Sequence, residues 1–131
     1  MSKEVVLIDT NVLLRLLLGD VESQFEKAKE IFENIEKGKV VANISLLVVN
    51  ELIWIMENYY RKDRADYVNL VLAVLSMKGI KFFDADKKMV MKVLKLMLKQ
   101  RLDFTDLYLW KIGREEKIKL ISFDKELLKL K

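Results

Sequence analysis

The sequence contains no histidine, no cysteine and no proline, and only four glycines. Without cysteine there is no disulfide scaffold, thiolate zinc site, iron–sulfur cluster or thiol nucleophile. Without histidine there is no Ser-His-Asp triad, imidazole ligand or histidine general base. Any chemistry falls to Asp, Glu, Ser, Thr, Lys, Tyr and a hard metal ion, and carboxylate donors favour Mg2+ or Mn2+. Long apolar runs are also missing. Runs such as 46–49 and 12–18 (the latter broken by Arg15) are far short of a membrane span. Met1-Ser2-Lys3-Glu4 lacks the long apolar stretch of a signal peptide. A soluble, cytoplasmic protein with no membrane partner is expected.

What is present is a globular composition: 131 residues, 52% hydrophobic and 34% charged. The length suits one domain, 1–131, with its own core. The net charge of +4 points weakly to a polyanionic partner.

Short apolar runs alternate with amphipathic helices. Val5-Val6-Leu7-Ile8 has the β-branched character of a buried strand. Asp9-Thr10-Asn11 supplies cap chemistry for a helix 12–18 ended by Gly19. Asp20 opens a second helix, whose apolar stripe is Val21, Phe25, Ala28, Phe32 and Ile35. Val40-Val41-Ala42 forms a second strand, and Ser45 caps a helix 46–60. Asp63 starts a helix to Met77, Ile80 to Phe83 is a third strand, and helices follow Asp86 and Asp103. Ile118 to Ile121 reads as a fourth strand, with Asp124 capping a last helix. Strands separated by helices imply βα units: a three-layer α/β/α domain around a parallel sheet of four to five short strands. Such sheets bind ligands beyond the carboxyl ends of their strands.

Several carboxylates fall at those ends. Asp9 follows the first strand and Asp124 the fourth, and each reads equally as a helix cap. Asp103 and Asp106 stand at one helix start, where a capping pattern explains Asp103 well and Asp106 only in part. Glu51 lies within Leu46-Leu47-Val48-Val49-Asn50-Glu51-Leu52-Ile53-Trp54-Ile55-Met56. Amid these neighbours it must reach solvent, pair with Lys or Arg, or meet a metal. Converging carboxylates repel unless a cation neutralises them, and hard divalent cations do so.

Val6-Leu7-Ile8-Asp9-Thr10-Asn11-Val12-Leu13 resembles the opening of a PIN domain, a small metal-dependent nuclease fold. Asn50-Glu51-Leu52-Ile53-Trp54, Asp103-Phe104-Thr105-Asp106-Leu107 and Ile121-Ser122-Phe123-Asp124-Lys125 resemble the family's second, third and fourth acidic motifs, in order. The resemblance implies a pocket of Asp9, Glu51, Asp106 and Asp124 holding Mg2+ or Mn2+, with Asp103 beside it. Asn11 matches a polar position near the first acid, and Ser122 keeps a hydroxyl where Thr is frequent. Chains of this length resemble VapC-type toxins, which implies an endoribonuclease, a homodimer and an antitoxin partner. Other small PIN proteins process RNA outside toxin systems.

An RNA substrate needs basic contacts. Setting aside the four proposed ligands leaves 16 acids against 24 bases. In the helix after Asp86, Lys88, Lys92, Lys95 and Lys99 fall on one face, with no acid between Asp86 and Asp103. This is either an RNA-binding stripe or a solvated face. Arg15, Lys111 and Arg114 are further phosphate candidates, whereas helix 21–36 mixes Glu and Lys as a plain solvated face does. Trp54, Tyr59, Tyr60 and Tyr67 read as core, or as part of a dimer or antitoxin interface.

Rival readings are a non-catalytic nucleic-acid- or partner-binding module, a phospho-receiver domain and a haloacid-dehalogenase-type phosphatase. The receiver wants paired acids after the first strand. The phosphatase wants Asp-x-Asp, where this chain has Asp9-Thr10-Asn11.

Overall fold

A computed structural model describes residues 3–131; Met1 and Ser2 of the polar N-terminal stretch lie outside the described residues. The chain runs β1 (Glu4–Leu7), α1 (Thr10–Leu18), α2 (Glu22–Glu36), β2 (Val40–Ile44), α3 (Leu46–Trp54), a π-helical turn (Ile55–Tyr59), α4 (Arg64–Leu75), β3 (Ile80–Phe82), α5 (Lys87–Met97), α6 (Phe104–Glu116) and α7 (Lys125–Lys129). The strands form one parallel sheet in the order β1-β2-β3. Val5 pairs with Val41, and Asn43 with Lys81. The fold is therefore α/β, a parallel sheet flanked by helices, as the alternation of runs predicts.

Strand polarity organises the core. Ile8 at the end of β1, Ala42 and Ile44 of β2, and Ile80 of β3 are buried on one face. They join a single cluster with Ile35 of α2, Val49 and Leu52 of α3, Leu75 of α4, and Val90 and Leu94 of α5. Alternate strand residues point the other way, and there Val5 is 66% and Leu7 70% exposed. Gly79, entering β3, permits a close approach: a Cβ there would come within 2.7 Å of Ile35 Cγ2.

The sheet has three strands rather than four to five. Ile118–Ile121 is not a strand among the described residues. Helix α6 ends with Lys117 in the left-handed region (φ 57°), and the Ile118 amide donates to Gly113 O at 2.8 Å. The chain leaves the helix through a C-cap and does not pair with β1. Ile121 is consequently 82% exposed.

Other boundaries are set by caps. Asp9, Ser45, Asp86, Asp103 and Asp124 each accept a backbone N–H at a helix start. Asp20 does not open α2 as predicted. Val21 occupies the cap position, and Asp20 pairs with Arg15 Nη1 at 2.7 Å. No helix among the described residues is long and apolar enough to cross a membrane.

Candidate active site

The start of α6 carries the acidic centre. Asp103 caps the helix, its Oδ1 accepting the Asp106 amide at 3.0 Å. Asp106 follows in the first turn, half-buried. Its carboxyl is held above the ordinary Asp range, first by burial and then by the negative charges of Asp103 and Asp124. Three of the sequence-predicted acids thus share one electrostatic neighbourhood.

Asp124 reaches it from the segment before α7. Ser122 Oγ accepts the Asp124 amide at 2.9 Å, and Asp124 Oδ1 accepts the amides of Glu126 and Leu127 at 2.9 and 3.2 Å. Ser122 therefore orients the loop that presents this acid. Asp9 lies beyond β1, its Oδ1 accepting the Val12 amide at 3.1 Å. In Asp9, Asp103 and Asp124 alike, the hydrogen bonds to the helix use Oδ1. The cap and ligand readings are thus compatible, since the cap bonds occupy Oδ1 and not Oδ2.

Glu51 takes the first of its three alternatives, solvent. It is exposed on α3, so it needs neither an ion pair nor a metal to satisfy it. The same side of the helix carries Leu47 and Trp54, both largely exposed. Apolar neighbours in sequence are here not apolar neighbours in space.

Two clefts border the acids. One, of about 450 Å3, is lined by Asp9, Asn11, Arg15, Gln24 and Lys27, with apolar walls from α1 and α2. It sets a carboxylate beside two cations. Arg15 was predicted; Lys27 was not, because helix 21–36 reads as a uniformly mixed surface. Only the packing of α2 on α1 brings Lys27 there, and no local pattern announces it. The second cleft, about 380 Å3, lies between α3 with its π-helical turn and the start of α6. Asn50, Trp54, Asn58, Arg64, Asp103 and Thr105 line it.

Of the lysine stripe, Lys88, Lys92 and Lys95 are exposed on α5, and Lys99 is exposed in the turn that follows it. Lys92 Nζ lies 3.5 Å from Glu115 Oε1, which Lys111 Nζ also approaches at 3.4 Å. Arg114 stacks 5.1 Å from the Trp110 ring centroid. Of the aromatic cluster, Tyr67 is core and Tyr60 half-buried, while Trp54 and Tyr59 are exposed, against the core reading.

Asp9, Glu51, Asp106 and Asp124 supply only hard oxygen donors, the type that suits Mg2+ or Mn2+. A cation there would offset the negative charges of Asp103 and Asp124, which add to burial in raising the Asp106 carboxyl. Among the described residues, no three acids already stand close enough to share one ion, so a cation would have to draw them together. The donor chemistry fits; the spacing is that of an open site.

The PIN-domain family model matches residues 6–131. The chain belongs to the PIN-domain family, whose members are generally nucleases and typically use divalent metal ions. No curated protein and no solved structure matched the chain.

Proposed function

We propose that this protein is a Mg2+- or Mn2+-dependent endoribonuclease and the toxin component of a toxin–antitoxin pair. The observation that carries the nuclease reading is the neighbourhood of Asp103, Asp106 and Asp124 at the start of α6, in a PIN-domain chain. Asp9, Asp106 and Asp124 hold the metal, and Glu51 completes the set from α3. A bound divalent cation supplies Lewis-acid polarisation of the phosphodiester and lowers the pKa of water. The chain's own residues do the rest. Ser122 and the cap bonds of Asp9, Asp103 and Asp124 fix the carboxylate-bearing loops. Arg15 and Lys27 bind phosphate in the cleft beside Asp9. Lys88 and Lys95 of α5, with Lys99 in the turn after it, extend the basic path.

The toxin assignment, with its homodimer and antitoxin, is supported by chain length and by the order of the four motifs. Leu47 and Tyr59, exposed on α3 and its π-helical turn, supply apolar surface suited to a protein partner. A PIN nuclease that processes RNA outside a toxin system has the same site. One observation favours a second class, a non-catalytic nucleic-acid- or partner-binding module: Asp9, Asp103 and Asp124 are each explained as helix caps.

The test is cleavage of single-stranded RNA with Mg2+, Mn2+ or EDTA, comparing the protein with Asp106→Asn. Cleavage that needs metal and disappears in the variant supports the nuclease. Metal-independent cleavage shared by both would sink it, and cleavage by neither, with RNA still bound, would favour the binding module.

A further inference from the structure

Trp54 is 62% exposed, an unusual position for the largest aromatic side chain. It borders the cleft of about 380 Å3 between α3 and α6. That volume is at the small end of ligand pockets. The lining is rich in uncharged hydrogen-bonding groups. Asn50 Oδ1 accepts from Thr105 Oγ1 at 3.1 Å, which orients the amide and leaves both Nδ2 protons available. Asn58 Nδ2 donates to Trp54 O at 3.1 Å, leaving its Oδ1 as an acceptor. The π-helical turn Ile55–Tyr59 carries Asn58 immediately after Trp54's turn, and such turns recur at functional sites.

Charge argues for a base rather than a phosphate. Arg64 is the only cation in the lining, and its guanidinium is already committed. Nε and Nη2 donate to Glu57 Oε1 at 3.2 and 2.7 Å, and Nη1 donates to Gln100 O and Leu102 O at 2.8 Å each. What remains is one aromatic face with fixed amide donors and acceptors, the chemistry that recognises an unpaired nucleobase. Asp103, on the rim, is three residues from Asp106. A base held here belongs to a nucleotide adjoining the bond that Asp106 would serve.

We propose that this cleft is a nucleobase subsite for single-stranded RNA, with Trp54 as the stacking face and Asn50 and Asn58 as the edge-reading amides. Its connection to cleavage rests on the nuclease reading; its binding does not.

The test is equilibrium binding of short fluorescein-labelled RNA homopolymers in EDTA, read by anisotropy, with Trp54 emission followed in a Trp110→Phe variant that keeps Trp54. RNA is expected to quench Trp54. Trp54→Ala should weaken binding about 5- to 150-fold, the range for loss of one base–aromatic stack, and Trp54→Phe should restore most of it. Asn58→Ala should change the order of preference among the four homopolymers. Trp54 is exposed, so its variants should keep the wild-type melting temperature. Unquenched emission with undiminished affinity in Trp54→Ala overturns the subsite, even if metal-dependent cleavage persists. So does loss of self-association in Trp54→Ala with RNA affinity intact, which would assign the patch to a second copy of the chain. A wild-type protein that neither binds nor cleaves RNA overturns both the subsite and the nuclease reading.

Discussion

Arg64 is the side chain whose removal should most disturb the approach to the acidic centre without touching it. Its four hydrogen bonds tie α4 to the π-helical turn through Glu57, and to the α5–α6 loop through the carbonyls of Gln100 and Leu102. That loop leads directly into Asp103. Arg64 and Glu57 side chains are 21% and 32% exposed, so solvent only partly replaces what is lost. A hydrogen bond to a charged group contributes about 1.5–3 kcal/mol, and three acceptor groups lose their donor in Arg64→Ala. Allowing for solvent access, the expected destabilisation is about 2–4 kcal/mol. For a domain of this length that corresponds to roughly 3–5 °C per kcal/mol, or a drop in Tm of about 6–20 °C. Urea unfolding followed by circular dichroism gives the free energy directly. Amide hydrogen exchange should show faster opening at Gln100–Thr105 than in the rest of α6. In a double-mutant cycle with Glu57→Gln, the two changes should be non-additive by at least about 0.5 kcal/mol. A destabilisation below about 0.5 kcal/mol, with exchange in the loop unchanged, would refute the reasoning.

Two further changes test neighbouring parts of the structure. Among the described residues the buried Tyr67 hydroxyl makes no well-formed hydrogen bond, although Glu57 and Arg64 lie beside it, and burial pushes its pKa above the usual tyrosine value. Tyr67→Phe should therefore be neutral or stabilising, within about 1 kcal/mol, by urea titration; a loss beyond that would mean the hydroxyl is bonded after all. Asp84, after β3, accepts Ser45 Oγ at 2.6 Å and the Leu46 amide at 2.9 Å, bonds that hold its carboxyl below the ordinary range. Asp84→Ala should cost about 1 kcal/mol at pH 7, a capping value kept modest because the carboxylate is exposed. A lowered folded pKa stabilises above the unfolded pKa and is lost as pH falls through the folded one. The difference between protein and variant should thus hold at neutral pH and shrink as pH falls below the ordinary Asp range; a difference that grows on acidification would contradict the assignment.

The parts of the fold legible in the sequence are those decided by local chemistry. β1, β2 and β3 are apolar runs with β-branched residues, and the caps at Asp9, Ser45, Asp86, Asp103 and Asp124 are side-chain preferences that act within three residues. Parallel order follows because helices separate the strands. Ile118–Ile121 misled because a short apolar run carries no information about whether an edge receives it; a left-handed Lys117 decides the matter. For Glu51 the sequence left solvent, an ion pair and a metal open for a related reason. Its neighbours in sequence are apolar, but a helix distributes them around its circumference, and Glu51 falls on the side left open. At the site, Asp103, Asp106 and Asp124 were identified by motif order. Lys27 and the cleft beside Trp54 depend on how α2 meets α1 and how α3 meets α6, contacts separated by many residues and visible only once the chain is folded.

The central claim is that this chain's carboxylates support metal-dependent cleavage of RNA. The most direct measurement follows a single-stranded RNA with the protein and its Asp9→Asn and Asp106→Asn variants, all purified identically, in Mg2+, Mn2+ and EDTA. Cleavage is expected with either ion and none in EDTA. Each variant should lose at least about 100-fold in rate while keeping its fold, the scale expected when a charge-stabilising group is removed. Cleavage that survives EDTA, or that proceeds at the wild-type rate in both variants, would contradict it.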